Sequence, residues 1–300
     1  MINIKGFKEV KEFGVKSPTN YTTKCGSIVD VVSLPSRRKN VTYNLKLDKD
    51  NYLSLSTGEI KQYEHAENKS DSVQSVYRTL KRLRRIINNN VDDIKKVRWV
   101  TLTYAENMTD TERLYQDFRK FHQRFQRYIK SKFGMEYEYI STCEPQGRGA
   151  WHMHIIFIFN VIAPYIPNNE LAGIWSHGFV SVKALKDSVD NLGAYLTAYL
   201  SDMEIPEKDL DKYTGYDIKE IEENGEKKRF IKGARMVLYP SGFNLYRCSK
   251  GIKRPKTEIL NNTQLKKIVG DSAPTYTKTY EFSLKDFTQK MKISQYNLKR

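Results

Sequence analysis

The chain has 300 residues, 39 % hydrophobic and 29 % charged, with a formal net charge of +16. An apolar fraction of that size can fill a core, and the cationic excess favours a polyanionic partner, nucleic acid or an anionic membrane face. No run of about 18 apolar residues exists, which excludes a membrane-spanning helix. The opening MINIKGFKEVKEFGVK lacks the apolar segment of a secretion signal. Cys25, Cys143 and Cys248 match neither a disulfide framework nor a CxxC metal knuckle. The expectation is a cytoplasmic protein with reduced thiols.

Residues 1–92 read as an N-terminal extension. Its first 70 residues are polar, with turn signals at Asp48-Lys49-Asp50-Asn51 and Thr57-Gly58 that suggest a small hairpin or an irregular appendage. The stretch 72–90 predicts a helix: Val76, Leu80, Leu83, Ile86 and Ile87 fall at helical spacing, and Asn88-Asn89-Asn90 ends the pattern. Its other face carries Arg78, Lys81, Arg82, Arg84 and Arg85, a solvated face or one that meets phosphates, with Arg82 and Arg85 the candidates for contact.

Residues 93–205 carry the chemistry. KVRWVTLTYAE (96–106) is a β-rich run. Thr109-Asp110-Thr111-Glu112 then opens a helix running to about Lys132, with Leu114, Phe118, Phe121, Phe125, Tyr128 and Ile129 as its apolar stripe. His122 lies beside that stripe as a structural or surface histidine. MEYEYISTCE (135–144) and residues 150–159 are strands joined by a turn at Pro145–Gly149, hence antiparallel. Trp175 and His177 have core and turn roles before a further strand, FVSVKAL (179–185), and DSVDNLGAYLTAYLSDM (187–203) has helical spacing. The order predicts an α+β fold: a central antiparallel sheet of about five strands with helices packed on one face. Residues 206–300 form a basic C-terminal part, with a hairpin at Asn224-Gly225 and tyrosines among lysines and arginines, a composition that suits single-stranded nucleic acid.

Within GRGAWHMHIIFIF (147–159), His152 and His154 stand two apart on a strand and so share one face. A hairpin centred near Arg148 brings Glu144 opposite His152. One carboxylate and two imidazoles then face a single point, a set with open positions that suits Mg²⁺ or Mn²⁺ holding a phosphate oxygen. Gln146 and Arg148, in the turn, are candidates for touching that phosphate. Tyr195 and Tyr199 lie four apart on the last helix, on one face. They are either core tyrosines or phenols placed to attack a phosphodiester, a weak nucleophile that a divalent cation would make sufficient.

Together these segments resemble the HUH endonucleases, in particular the rolling-circle replication initiators of plasmids and small phages. VRWVTLTYA (97–105) resembles the first family motif, EPQGRGAWHMH (144–154) the second and AYLTAYLSD (194–202) the third. Histidines ahead of tyrosines is the order of replication initiators and one-tyrosine transposases; relaxases place the tyrosine first. The tyrosine helix departs from the family pattern in one respect: where a lysine often follows three residues after a tyrosine, this chain has Ala198 and Asp202. The resemblance implies a central sheet with the histidines on a middle strand. It also implies an enzyme that nicks and rejoins single-stranded or hairpin origin DNA through a 5′-phosphotyrosine. No Walker A pattern is present, so unwinding would fall to a host helicase and extension to a polymerase. A transposase of the same chemistry, or a non-catalytic nucleic-acid-binding repressor, are the alternatives.

Overall fold

Apolar alternation and helical stripes build the elements of the computed structural model, which describes residues 7–35, 44–48, 50–54, 58–62, 73–146, 149–185, 191–198, 203–205, 218–223, 226–231, 239–240, 242–284 and 287–299. In chain order these are β1 (Phe7–Val10), β2 (Thr19–Cys25), β3 (Ile28–Leu34), β4 (Asn44–Lys46), β5 (Asn51–Ser54), β6 (Ile60–Gln62), α1 (Val73–Asn90), β7 (Val97–Thr103), α2 (Thr111–Phe133), β8 (Tyr137–Pro145), β9 (Trp151–Phe159), α3 (Asn168–Trp175) and β10 (Val180–Lys183). There follow α4 (Leu192–Ala198), β11 (Met203–Ile205), β12 (Ile218–Glu223), β13 (Glu226–Ile231), β14 (Tyr246–Cys248), β15 (Thr257–Leu260), α5 (Asn262–Val269), β16 (Tyr276–Leu284) and β17 (Phe287–Asn297).

The chain forms two compact units, residues 67–254 and residues 1–66 with 255–300. The three consecutive segments expected from sequence are therefore drawn differently. In the terminal unit a six-stranded sheet, β1-β16-β17-β3-β2-β15, interleaves both ends of the chain. Where sequence suggested an appendage, β17 pairs antiparallel with β3, Asn297 facing Ile28. Partners so far apart in sequence leave no local signal. β4, β5 and β6 form a small separate sheet, with Asp48 Oδ1 accepting from the backbone N–H of Asp50 and of Asn51 in its first turn.

The central unit is α+β, as expected, around the five-stranded antiparallel sheet β10-β7-β9-β8-β14, which sets the histidine strand β9 in the middle. A three-stranded sheet, β11-β13-β12, includes the expected hairpin, with Glu223 opposite Glu226; the turn residues Asn224 and Gly225 lie outside the described residues. The predicted helix 187–203 is helical, among the described residues, only from Leu192 to Ala198, and Met203 already lies in a strand.

α2 starts at Asp110, whose carboxylate accepts from Glu112 N and Arg113 N, and stops at Gly134, whose left-handed backbone (φ 66°) turns the chain. Its buried stripe of Leu114, Phe118, Phe121, Phe125 and Ile129 covers one face of the sheet. The Phe125 and Phe157 rings are 4.5 Å apart, and Phe118 meets Tyr139 edge to face at 5.4 Å. His122 packs among Phe118, Tyr137 and Tyr139, and burial lowers its pKa. Trp175 is fully buried against Phe121 and Tyr104. Tyr104 donates to the buried Asp117 carboxylate at 3.2 Å, with Arg113 and His177 flanking it, which ties the end of β7 to α2. Burial and this carboxylate push the Tyr104 phenol well above its usual range.

On the opposite face, residues aligned with the histidines include buried Ile140 and Ile156. α1 and α4 contribute Leu83, Ile86, Ile87, Leu192 and Leu196 to the same core. Because Phe125 has neither exposure nor an unpacked side, Phe125→Ala is expected to cost about 3–5 kcal/mol of stability in urea unfolding.

Candidate active site

The β8–β9 register sets Glu144 opposite His152 and Thr142 opposite His154. On the other side of β9, β7 sets Thr101 beside His154 and Thr103 beside His152. Residues paired across a ladder project to one side of the sheet, so all six lie on the face away from α2. Their immediate neighbours in sequence, Trp151, Met153 and Ile155, are buried on the other side. The alternation of the strand alone puts the two imidazoles where a ligand could reach them.

The sequence expects these side chains to gather round one point. The nearest contact is instead diagonal: Glu144 Oε2 lies 3.0 Å from His154 Nε2. The His152 ring stands 6.4 Å from that of His154, centre to centre. Thr101 Oγ1 is 3.1 Å from His154 Nδ1. Burial pushes the His154 imidazole down to about 4, and the Lys183 ammonium adds to the shift. The ring is thus neutral at pH 7, and its contact with Glu144 is a hydrogen bond rather than an ion pair. Both contacts are satisfied when Nε2–H donates to the carboxylate and the Thr101 hydroxyl donates to Nδ1. The hydroxyl can also accept, so it supports either tautomer, including the one that frees Nε2 for a cation.

Among the described residues, no group of three or more His, Cys, Asp and Glu side chains is arranged to hold a metal as it stands. The donor chemistry nevertheless fits a divalent cation. A buried carboxylate, a neutral imidazole and a second imidazole share one face of the sheet.

Tyr195 lies in α4, and its backbone is helical there. Its side chain, and Tyr199 altogether, lie outside the described residues, as does Arg148. α4 is docked on α1 through polar groups. Gly193 N donates to Asn88 Oδ1 at 2.8 Å, and Asn88 Nδ2 donates to Asn191 Oδ1 at 2.9 Å. A Cβ on Gly193 would collide with the Arg84 carbonyl oxygen, so only glycine allows the two helices to approach this closely. Asn88 lies in the last turn of α1, which ends at Asn90 as expected, and its buried side chain latches the tyrosine helix. Gln146 closes the β8–β9 turn, its N–H donating to Ala150 O at 2.8 Å. Arg82 is exposed and Arg85 half-buried on α1.

Thr101, Asn88 and Gly193 are the functional candidates that sequence reasoning passed over. A signal existed for Asn88, a polar residue next to an apolar stripe, but for Thr101 the register alone identifies it.

Asn88→Ala leaves a buried N–H of Gly193 without its acceptor, and is expected to cost about 1–3 kcal/mol, with faster amide exchange confined first to α4. In an NMR titration the His154 ring is expected to stay neutral down to about pH 5, where an ordinary histidine is mostly protonated. A ring that titrates near the ordinary value of about 6.5 would mean that water reaches it freely.

Residues 97–204, from β7 into β11, match the family model of the ORF2-type replication-associated proteins. Comparison with curated proteins and with solved structures gives no match. No helix among the described residues is long and apolar enough to cross a membrane. The family match supports a replication initiator with DNA as its partner.

Proposed function

We propose that this protein nicks and rejoins one strand of a replication origin, as an HUH-type initiator of rolling-circle replication. The observation that carries the reading is the Glu144–His154 contact, with His152 on the same face, inside the segment that matches a replication-associated family.

Glu144, His152 and His154 would hold Mg²⁺ or Mn²⁺, which when bound polarises the scissile phosphate and stabilises its developing charge. The protein's own side chains do the rest. Thr101 fixes the His154 ring through Nδ1. Asn88 and Gly193 hold α4, and Tyr195 or Tyr199 would be the nucleophile. The phenol oxygen attacks phosphorus, and a tyrosine-to-phosphate bond forms as the bond to the 3′ oxygen breaks. The phenolic proton leaves, and the departing 3′ oxygen ends as a hydroxyl that a polymerase can extend. The covalent 5′-phosphotyrosine keeps the bond energy for rejoining. With two tyrosines four apart in sequence, the second would attack at termination. Gln146 and Arg148, at the hairpin tip beyond Glu144, would contact the phosphate. A host helicase would supply the single strand.

With Mn²⁺ and single-stranded hairpin oligonucleotides from the replicon's own origin, the wild-type chain is expected to form a covalent adduct. Mass spectrometry would locate it on Tyr195 or Tyr199. Chelation should abolish it, and His154→Ala should bind the DNA without cutting. Adduct formation by the double variant Tyr195→Phe, Tyr199→Phe would end the proposal, and DNA binding with no adduct under any metal would leave a non-catalytic binder.

A further inference from the structure

A groove of about 540 Å³ runs between α1 and the segment around β14, the edge strand of the central sheet. Thr79 and Arg82 of α1 line one wall, and Asn244, Tyr246, Lys250 and Arg254 line the other. Among the described residues no acidic side chain lines it. The imbalance is written into both walls: neither residues 73–90 nor residues 239–256 contain a single Asp or Glu, while the first hold five cations and the second five. Arg82, Lys250 and Arg254 are exposed.

The groove is built rather than incidental. At one end Lys253 N donates to Asn90 Oδ1 at 2.8 Å and Asn90 Nδ2 donates to Lys253 O at 2.7 Å, which bolts the two walls together. Asn89 Nδ2 adds a bond to the same carbonyl at 3.2 Å. Beneath it, Ser249 is pinned to Tyr139, its Oγ accepting from Tyr139 N at 2.7 Å. Gly251 N donates to Glu138 Oε2 at 3.1 Å, a close approach in which a Cβ on Gly251 would strike the carboxylate. These bonds set where Lys250 and Arg254 stand. Tyr246 pairs with Thr142, which pairs with His154, so one row of side chains leads from the groove to the histidines. Two strand spacings, about 10 Å, separate Tyr246 from His154.

We infer that this groove takes the sugar-phosphate backbone of single-stranded DNA and leads it onto the histidine face. A fixed groove lined by four exposed cations, Arg82, Arg247, Lys250 and Arg254, and among the described residues by no acid fits a chain of phosphates, and Tyr246 offers a base a ring to stack on. The inference rests on the proposed function for its direction toward the site, though not for the binding itself.

The test is fluorescence anisotropy with a labelled oligothymidylate strand, in EDTA, at several salt concentrations. Three full-length proteins are compared: wild type, Arg82→Ala with Lys250→Ala and Arg254→Ala, and Lys120→Ala with Arg127→Ala and Lys130→Ala, an equal charge loss on exposed positions of α2. The groove variant is expected to bind about tenfold or more weakly at ~0.1 M salt. Its plot of log K against log salt should be shallower by about 2, at roughly 0.7 for each phosphate of a single strand that is no longer neutralised. The α2 variant should keep the wild-type slope. Arg82→Ala alone should shift the slope by about 0.7, which guards against a triple variant that folds poorly. An unchanged slope in the groove variants overturns the inference, and so does an equal loss in both triple variants, which would mean that only net charge counts. Since no metal or cutting enters this measurement, failure of the phosphotyrosine chemistry and failure of the groove are read separately.

Discussion

In an antiparallel pair a slip of one residue sends every side chain to the opposite face, and the site depends on that rule being satisfied across three strands at once. Met153, Ile155 and Phe157 must face α2, or a large part of the aromatic core is lost. That demand fixes the register of β9, and with it the direction of His152 and His154. The same registers carry Glu144 and Thr101 to either side of His154. The apolar core on one face thus pins the polar chemistry on the other. A site held in this way tolerates change in its turn far better than change in the strands beneath it.

The electrostatics of the face follow from its partial burial. A carboxylate and an imidazole in water at 3.0 Å would be read as an ion pair. Here the ring is neutral because burial disfavours its charged form. A neutral imidazole nitrogen is the state able to bind a cation, and burial weakens proton competition at that ring.

How far the site was legible in the sequence depended on range. The strand holding the histidines, its antiparallel partner, the α2 stripe and the pairing of Glu144 with His152 all came from local alternation and a short turn. The diagonal choice of Glu144 for His154 did not, because it depends on side-chain rotation within a correct register. Thr101 escaped because β7 and β9 are separated by the whole of α2 and β8, and nothing local announces their alignment. The terminal sheet escaped for the same reason. Asn88-Asn89-Asn90 end α1 where the sequence put its end, and their side chains also reach across to hold other segments, which no local pattern announces.

The same triplet limits how far the catalytic centre can stand alone. Among the described residues α4 spans seven, too few to persist as an isolated helix in water, and it is docked on α1. Yet α1 lies ahead of the segment that matches the replication family. Excised at 97–204, that segment would carry both histidines and Tyr195 but would lose the neighbour that gives α4 its shape, leaving Leu192 and Leu196 facing water. The matched stretch is therefore not a portable cassette. Any transplant of this chemistry to another scaffold has to bring α1 along with it.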